Sequence, residues 1–164
     1  MLSEWYRKPV LVLGCGNPLV GDDGFGPAVA ESLNRHADLP DHVSVQDMGT
    51  SMGDFLFDLI LSSKKPAYIF IVDAVSVQNR TQGELFELTL DGIPRIKSCN
   101  FSLHQFPSVN LLAELDEDAD VNIRILAVQT RDLPNRIRPG LSPEIRAAVP
   151  QACSWLLYEI KSIS

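Results

Sequence analysis

The sequence predicts an α/β fold in which helices pack on a mostly parallel sheet. Short apolar or alternating segments recur along the chain, and segments with apolar residues at helical spacing lie between them. Residues 68–72 form an uninterrupted β-branched and aromatic run, which indicates a central strand buried on both faces. Residues 10–13 are apolar and lead directly into a glycine turn, as the first strand of a nucleotide-binding fold does.

The strands and helices are predicted from these patterns in chain order. The predicted strands are residues 10–13, 42–47, 68–72, 84–88 and 122–128, and the fourth is expected to be a short edge strand that runs antiparallel. The first helix follows Asp22 and Asp23, either of which is a candidate cap, and places Phe25, Val29 and Leu33 on its core face. The other predicted helices are residues 50–63, 102–115 and 142–163.

Composition limits the classes of function. With 164 residues and 45% hydrophobic content, we expect one domain, residues 1–164, with a substantial core. The net charge of −7 disfavours nucleic acid and anionic membranes as partners. No apolar run is long enough to span a bilayer and no signal-peptide core precedes the first strand, so a cytoplasmic protein is expected. Cys15, Cys99 and Cys153 are far apart, which favours reduced thiols over disulfides or a structural zinc site.

The glycine turn after the first strand carries acidic residues where phosphate-binding folds hold an anion. Gly14-Cys15-Gly16 is followed by the pair Asp22-Asp23. A phosphate site needs backbone N–H groups and positive potential, whereas adjacent carboxylates suit a metal ion or a cationic group. The turn also lacks the third glycine of a dinucleotide fingerprint. A dinucleotide site therefore remains only an alternative.

Candidate metal ligands are predicted at the carboxyl ends of the strands. Asp23 follows the first strand, Asp73 ends the central strand, and His104 begins the helix that follows the fourth strand. Two carboxylates and an imidazole suit Ni, Zn, Mn or Fe. Each residue also has a structural interpretation: Asp23 as a helix cap, Asp73 as an acceptor for backbone N–H groups, and His104 as a half-buried core histidine.

Four other acidic or histidine positions are not predicted to bind a metal. Asp22 is expected to be a helix cap or an acceptor behind the ligands rather than a ligand itself. Asp47 stands where a dinucleotide-binding protein places its ribose-binding acid. His36 and His42 flank a polar turn and are expected to be solvated.

Short segments spread over nearly the whole chain resemble the hydrogenase maturation endopeptidases. That family trims the C-terminal extension from the large subunit of [NiFe] hydrogenases. The matching segments, in the family's order, are LGCGNPL at 13–19, DDGFG at 22–26, DMGT at 47–50, VDA at 72–74, LHQ at 103–105 and GLSP at 140–143. Residues 101–106 and 24–27 look most like members that serve archaeal coenzyme F420-reducing hydrogenases.

The resemblance implies a fold, an activity and a site. The fold is a three-layer α/β sandwich around a twisted, mostly parallel five-stranded sheet with helices on both faces. The activity is that of an endopeptidase whose partner is the hydrogenase large-subunit precursor. Asp23, Asp73 and His104 map onto the catalytic metal-binding trio, and Gly49 and Thr50 onto a substrate-facing loop. The metal is nickel supplied by the precursor, and no organic cofactor is implied.

Several alternatives stay open from the residues themselves. Gly49 and Thr50 suit a strand-to-helix turn equally well, with Thr50 as the N-cap. No serine or cysteine stands beside a base, and Cys15 is interpreted as a packing residue. The basic segment 131–140 either guides the precursor tail or is a solvated loop. The alternative functions are a dinucleotide-binding domain and an assembly chaperone that binds a partner's tail without cutting it.

Overall fold

The structure, a computed structural model, describes residues 4–88, 115–117, 120–131 and 136–163. Its strands are β1 (Val10–Cys15), β2 (Val43–Gly49), β3 (Tyr68–Val75), β4 (Leu85–Leu88) and β5 (Asn122–Gln129). Its helices are α1 (Phe25–Asn34), α2 (Met52–Leu61) and α3 (Pro143–Ser162), with short 3-10 turns at Glu4–Arg7 and Gly21–Gly24. Residues 115–117 are also helical.

The strands form one sheet in the order β2-β1-β3-β5-β4. β1 pairs in parallel with β2 and β3, and β3 pairs in parallel with β5. β4 pairs antiparallel with β5 at the edge, as predicted. β3 is central and all its residues after Tyr68 are buried, which confirms the interpretation of residues 68–72.

Helices cover both faces of the sheet and produce a three-layer α/β sandwich. On one face α1 and α3 pack on alternate residues of the central strands, including Val12, Phe70 and Val128. On the other face α2 packs on the intervening residues, including Leu13 and Ile71. The α1 core face is as predicted, because Phe25, Val29 and Leu33 are all fully buried. In the described part of the chain, no helix is long and apolar enough to cross a membrane.

Several predicted boundaries are wrong near the carboxyl ends of the strands. β3 continues to Val75, so Asp73 lies inside the strand rather than at its end. α2 begins at Met52 with Ser51 at its N-cap, so Thr50 is not the cap. Gly24 occupies the N-cap of α1 and no side chain caps that helix. The predicted helix 102–115 lies outside the described residues except for its last residue, which is buried.

Candidate active site

The carboxyl ends of β1 and β3 form a crevice at one rim of the sheet. From β1 the chain passes to β2 on one side and then crosses to β3 on the other. In open α/β sheets, a reversal of this kind leaves a gap beyond the carboxyl ends of the two strands, and ligands bind there. The first two sequence-predicted site residues, Asp23 and Asp73, lie on elements that border this gap.

Glycines allow the segment after β1 to pack directly against this rim. A Cβ atom on Gly26 would lie 2.5 Å from both the Cys15 nitrogen and the Val72 carbonyl oxygen. A Cβ atom on Gly16, where φ is +127°, would lie 1.9 Å from the carbonyl oxygen of Asp23. Only a residue without a Cβ fits such contacts. The glycine motif therefore brings the start of α1, and with it Asp23, against the backbone of β1 and β3.

The Asp23 carboxylate is oriented by the turn that precedes it. Its Oδ2 accepts a hydrogen bond from the Asn17 N–H at 2.8 Å. The Asp23 N–H in turn donates to the Val20 carbonyl at 3.0 Å. The Asn17 amide belongs to the glycine turn that would cradle a phosphate in a dinucleotide site. Because a carboxylate of the protein uses that donor, the contacts disfavour the dinucleotide alternative.

Asp73 is fully buried within β3. Its Oδ1 accepts a hydrogen bond from the Ala74 N–H at 2.8 Å, which agrees with the structural interpretation of this residue. Ile71 and Val75, two positions away on either side, pack in the core on the α2 face. Side chains alternate along a strand, so Asp73 is directed to that same face.

The thiol of Cys15 is buried at the end of β1. Burial raises its pKa well above the usual value, and the charges of Asp73, Asp47 and Asp23 raise it further. A neutral, fully buried thiol is a poor nucleophile, which agrees with the interpretation of Cys15 as a packing residue.

The end of β2 closes the other side of the crevice. The Gly49 N–H donates to Asp47 Oδ1 at 2.9 Å, and the Gly49 carbonyl accepts from the Gly16 N–H at 3.0 Å. Gly49 has a φ of +53°, and apart from its two chain neighbours no described residue lies within 4 Å of where its Cβ would stand. Thr50 is exposed. Both residues thus lie at the rim, and their contact with substrate stays a prediction.

Asp22 has a structural partner that its position in the sequence does not indicate. Its Oδ1 accepts from the Ser142 N–H at 2.6 Å, while its Oδ2 accepts from the Ser142 hydroxyl at 2.9 Å and the Thr130 hydroxyl at 3.2 Å. Asp22 therefore binds the N-terminus of α3 rather than capping α1. This confirms its interpretation as an acceptor.

Comparison with known proteins identifies the family. The sequence matches the hydrogenase maturation protease family over residues 27–159. This chain belongs to that family. A Methanocaldococcus jannaschii protein assigned to the hydrogenase maturation proteases is 35% identical over 94% of this chain and 98% of its own length.

Further relatives of this maturation protease agree in fold and sequence. The coenzyme F420 hydrogenase subunit delta of Methanothermobacter thermautotrophicus is 34% identical over 94% of this chain and 96% of its own length. The solved structure of the hydrogenase maturating endopeptidase HybD from E. coli matches with a TM-score of 0.73 and 25% identity, over 94% of this chain and 93% of that one. The chain is therefore a peptidase of hydrogenase maturation, which favours the leading interpretation over the dinucleotide domain and the non-cleaving chaperone.

The maturation protease has its first two predicted ligands at one rim, whereas the third, His104, lies outside the described residues. Among residues 4–88, 115–117, 120–131 and 136–163, no three His, Cys, Asp or Glu side chains form a metal-binding group. Of the other histidines, His36 is exposed as expected and His42 is half-buried. Cys15 and Cys153 are buried free thiols, as predicted, and Cys99 lies outside the described part of the chain.

Sequence reasoning missed two features around this site. Asp47 was interpreted as a candidate ribose-binding acid and as part of a family segment, but its effect on Cys15, whose pKa its negative charge raises, was not predicted. Its place at the predicted end of a strand, like that predicted for Asp73, was the available clue. The tie from Asp22 to Ser142 and Thr130 joins residues 120 and 108 positions apart, and no local pattern predicts it.

Proposed function

We propose that this chain removes the C-terminal extension of a [NiFe]-hydrogenase large-subunit precursor after nickel has been inserted. It acts as a single domain in the cytoplasm, without nucleic acid, membrane or organic cofactor. Asp23, Asp73 and His104 grip the nickel that the precursor carries. Similarity to an F420 hydrogenase subunit, at 34% identity, supports the precursor of a coenzyme F420-reducing hydrogenase as substrate.

The observation that carries the proposal is that Asp23 and Asp73 border the same crevice. The Asp23 carboxylate is bonded to the turn after β1, and Asp73 follows Val72, which pairs with Gly14 of β1. The two acids are 50 positions apart in the sequence, and they come from different elements. Carboxylate oxygens, together with an imidazole, are ligands that suit Ni²⁺. Two such acids beside an open rim of the sheet fit a metal ion that arrives with a substrate.

The contacts of the chain suggest how each acid acts. The bond from the Asn17 N–H holds the Asp23 carboxylate in one orientation, so little rearrangement is needed when a cation arrives. Asp73 is held rigidly because it lies inside a central strand. Nickel bound in the precursor would supply a Lewis acid that polarises the scissile carbonyl. Gly49 and Thr50, at the same rim, would contact the chain to be cut.

The trio is tested by Asp23→Asn, Asp73→Asn and His104→Ala in a trimming assay with nickel-loaded precursor, analysed by mass spectrometry. Each variant should trim at least about a hundredfold more slowly, because each removes a ligand to the ion. Circular dichroism should show the fold intact. Asp58→Asn, an exposed charge on α2, serves as the matched control and should trim normally. Full activity of any one of the three variants would contradict the assignment of that residue.

A further inference from the structure

A cavity with a cationic wall adjoins the candidate active site. It is open to solvent, has a volume of about 580 Å³, and lies beside Asp22. Its lining includes three exposed arginines, Arg131, Arg138 and Arg146. Such a concentration of positive charge is unusual in a chain of net charge −7 and requires an explanation.

The arginines come from separate elements that fix their positions. Arg131 follows the carboxyl end of β5, and Arg146 lies in the first turn of α3. The backbone of Arg138 pairs with the turn after β1, since its N–H donates to Leu19 and its carbonyl accepts from Gly21, both at 2.7 Å. The cavity wall is therefore tied to the same turn that carries Asp23.

The positive charge of the cavity is not neutralised within the described part of the chain. The ion pairs found there belong to other arginines, namely Arg35, Arg80 and Arg124. Asp22 offsets one of the three charges, but both its oxygens accept hydrogen bonds from Ser142 or Thr130. Among the described residues that line the cavity, the three arginines therefore outnumber the one carboxylate, and the N-terminus of α3 adds its dipole.

The arginines supply the chemistry that the cavity offers to a ligand. Gln82 also lines the cavity, but its amide is used within the protein, since Nε2 donates to the Ser142 hydroxyl at 3.0 Å. Guanidinium groups bind carboxylates through charge-assisted hydrogen bonds, so the lining matches a carboxylate of a peptide.

We infer that this cavity binds a carboxylate of the precursor's C-terminal extension, an inference that rests on the proposed function. Asp22 and Asp23 are consecutive, so the cavity begins about 4 Å along the chain from a proposed nickel ligand. A peptide held at the nickel would reach the arginines within a few extended residues, at about 3.3 Å per residue. The carboxylate is either the chain terminus or an acidic side chain of the extension.

Binding of a synthetic peptide tests this inference without requiring cleavage. A fluorescein-labelled peptide with the sequence of the extension is titrated with the full-length protein, and anisotropy is measured. The triple variant Arg131→Gln, Arg138→Gln, Arg146→Gln should bind at least about tenfold more weakly than the wild type, because charge-assisted hydrogen bonds are lost. Raising the salt concentration should weaken wild-type binding and narrow this difference.

Two modified peptides identify the carboxylate. If C-terminal amidation of the peptide abolishes the difference in affinity between the wild type and the triple variant, the terminal carboxylate is bound. If replacement of Asp and Glu by Asn and Gln removes it, an acidic side chain is bound. Either result supports the inference.

The matched control is Arg35→Gln, Lys64→Gln, Lys161→Gln, which removes the same charge from residues outside the cavity. Circular dichroism verifies that both triple variants are folded. Equal affinity of the wild type and the arginine variant, equal losses in both triple variants, or no binding to the wild type would each overturn the inference. Failure of the wild type to trim nickel-loaded precursor would instead contradict the proposed function, because the binding assay does not depend on cleavage.

Discussion

At the scale of single residues, the adjacent acids Asp22 and Asp23 have separate roles. Asp23 accepts one hydrogen bond from the turn before it and lies near the crevice. Asp22 accepts three hydrogen bonds from Thr130 and Ser142. Thr130 directly follows β5, and Ser142 is the N-cap of α3. One acid of the pair therefore borders the crevice, while the other joins distant parts of the chain.

This division predicts different effects on stability. Asp22→Ala should lower the free energy of unfolding by about 2 kcal/mol, because it removes charge-assisted hydrogen bonds from the half-buried Ser142 and the buried Thr130. Asp22→Asn keeps an acceptor oxygen and should lose about 1 kcal/mol. Asp23→Asn retains the acceptor for Asn17 and should change stability by less than either. Urea denaturation followed by circular dichroism measures all three. A larger loss from Asp23→Asn than from Asp22→Ala would contradict this assignment of roles.

At the scale of elements, the packing of α1 on the sheet positions the site. Gly16 and Gly26 remove the Cβ atoms that would separate the start of α1 from β1 and β3. The backbone of the helix start therefore reaches the strand ends directly, which brings Asp23 within electrostatic reach of Cys15. Gly49 has a different reason for being glycine, because no described residue beyond its neighbours would contact a Cβ there, and its positive φ favours glycine.

Alanine substitutions should separate these two reasons. Gly16→Ala should destabilise by more than about 3 kcal/mol, because its Cβ would meet the Asp23 carbonyl at 1.9 Å and backbone must move. Gly49→Ala should lower the free energy of unfolding by about 1 to 2 kcal/mol, because alanine disfavours the left-handed backbone conformation at this position. Thermal and urea unfolding of both variants measure the difference. Similar losses in the two variants would show that contact with Asp23 is unimportant.

The sequence predicts elements well where the pattern is strong and boundaries poorly where other contacts decide them. The central strand follows from a run of β-branched and aromatic residues, and α1 from the spacing of Phe25, Val29 and Leu33. β3 continues through Asp73 because it stays paired with β5, which no local pattern indicates. The N-cap of α1 is Gly24 because both neighbouring acids bond elsewhere.

At the scale of the whole molecule, the position of Asp23 and Asp73 at one rim follows from strand order, which is a property of the fold. Acids near the carboxyl ends of neighbouring parallel strands share a rim, so these two could be paired from the sequence, while their role as ligands stays a prediction. The arginine cavity could not be predicted from the sequence. Arg131, Arg138 and Arg146 line a cavity with Asp22 only because the fold brings the end of β5 and the start of α3 to the turn after β1. A basic segment in an acidic chain was the available indication.

The proposed function also predicts that trimming depends on nickel in the substrate. Asp23 and Asp73, the proposed ligands at the described crevice, grip an ion that the precursor carries, and the Cys15 thiol is buried with a raised pKa and is therefore a poor nucleophile. Precursor prepared without nickel should therefore be trimmed at least about a hundredfold more slowly than loaded precursor. This corresponds to an activation free energy that is higher by roughly 3 kcal/mol. Loading the same preparation with nickel should restore trimming, as measured by the mass of the large subunit over time.

An unfolded protein without nickel, such as reduced casein, serves as the control and should stay intact. Equal trimming of empty and loaded precursor would contradict nickel recognition while leaving the peptidase assignment in place, because that assignment rests on family membership.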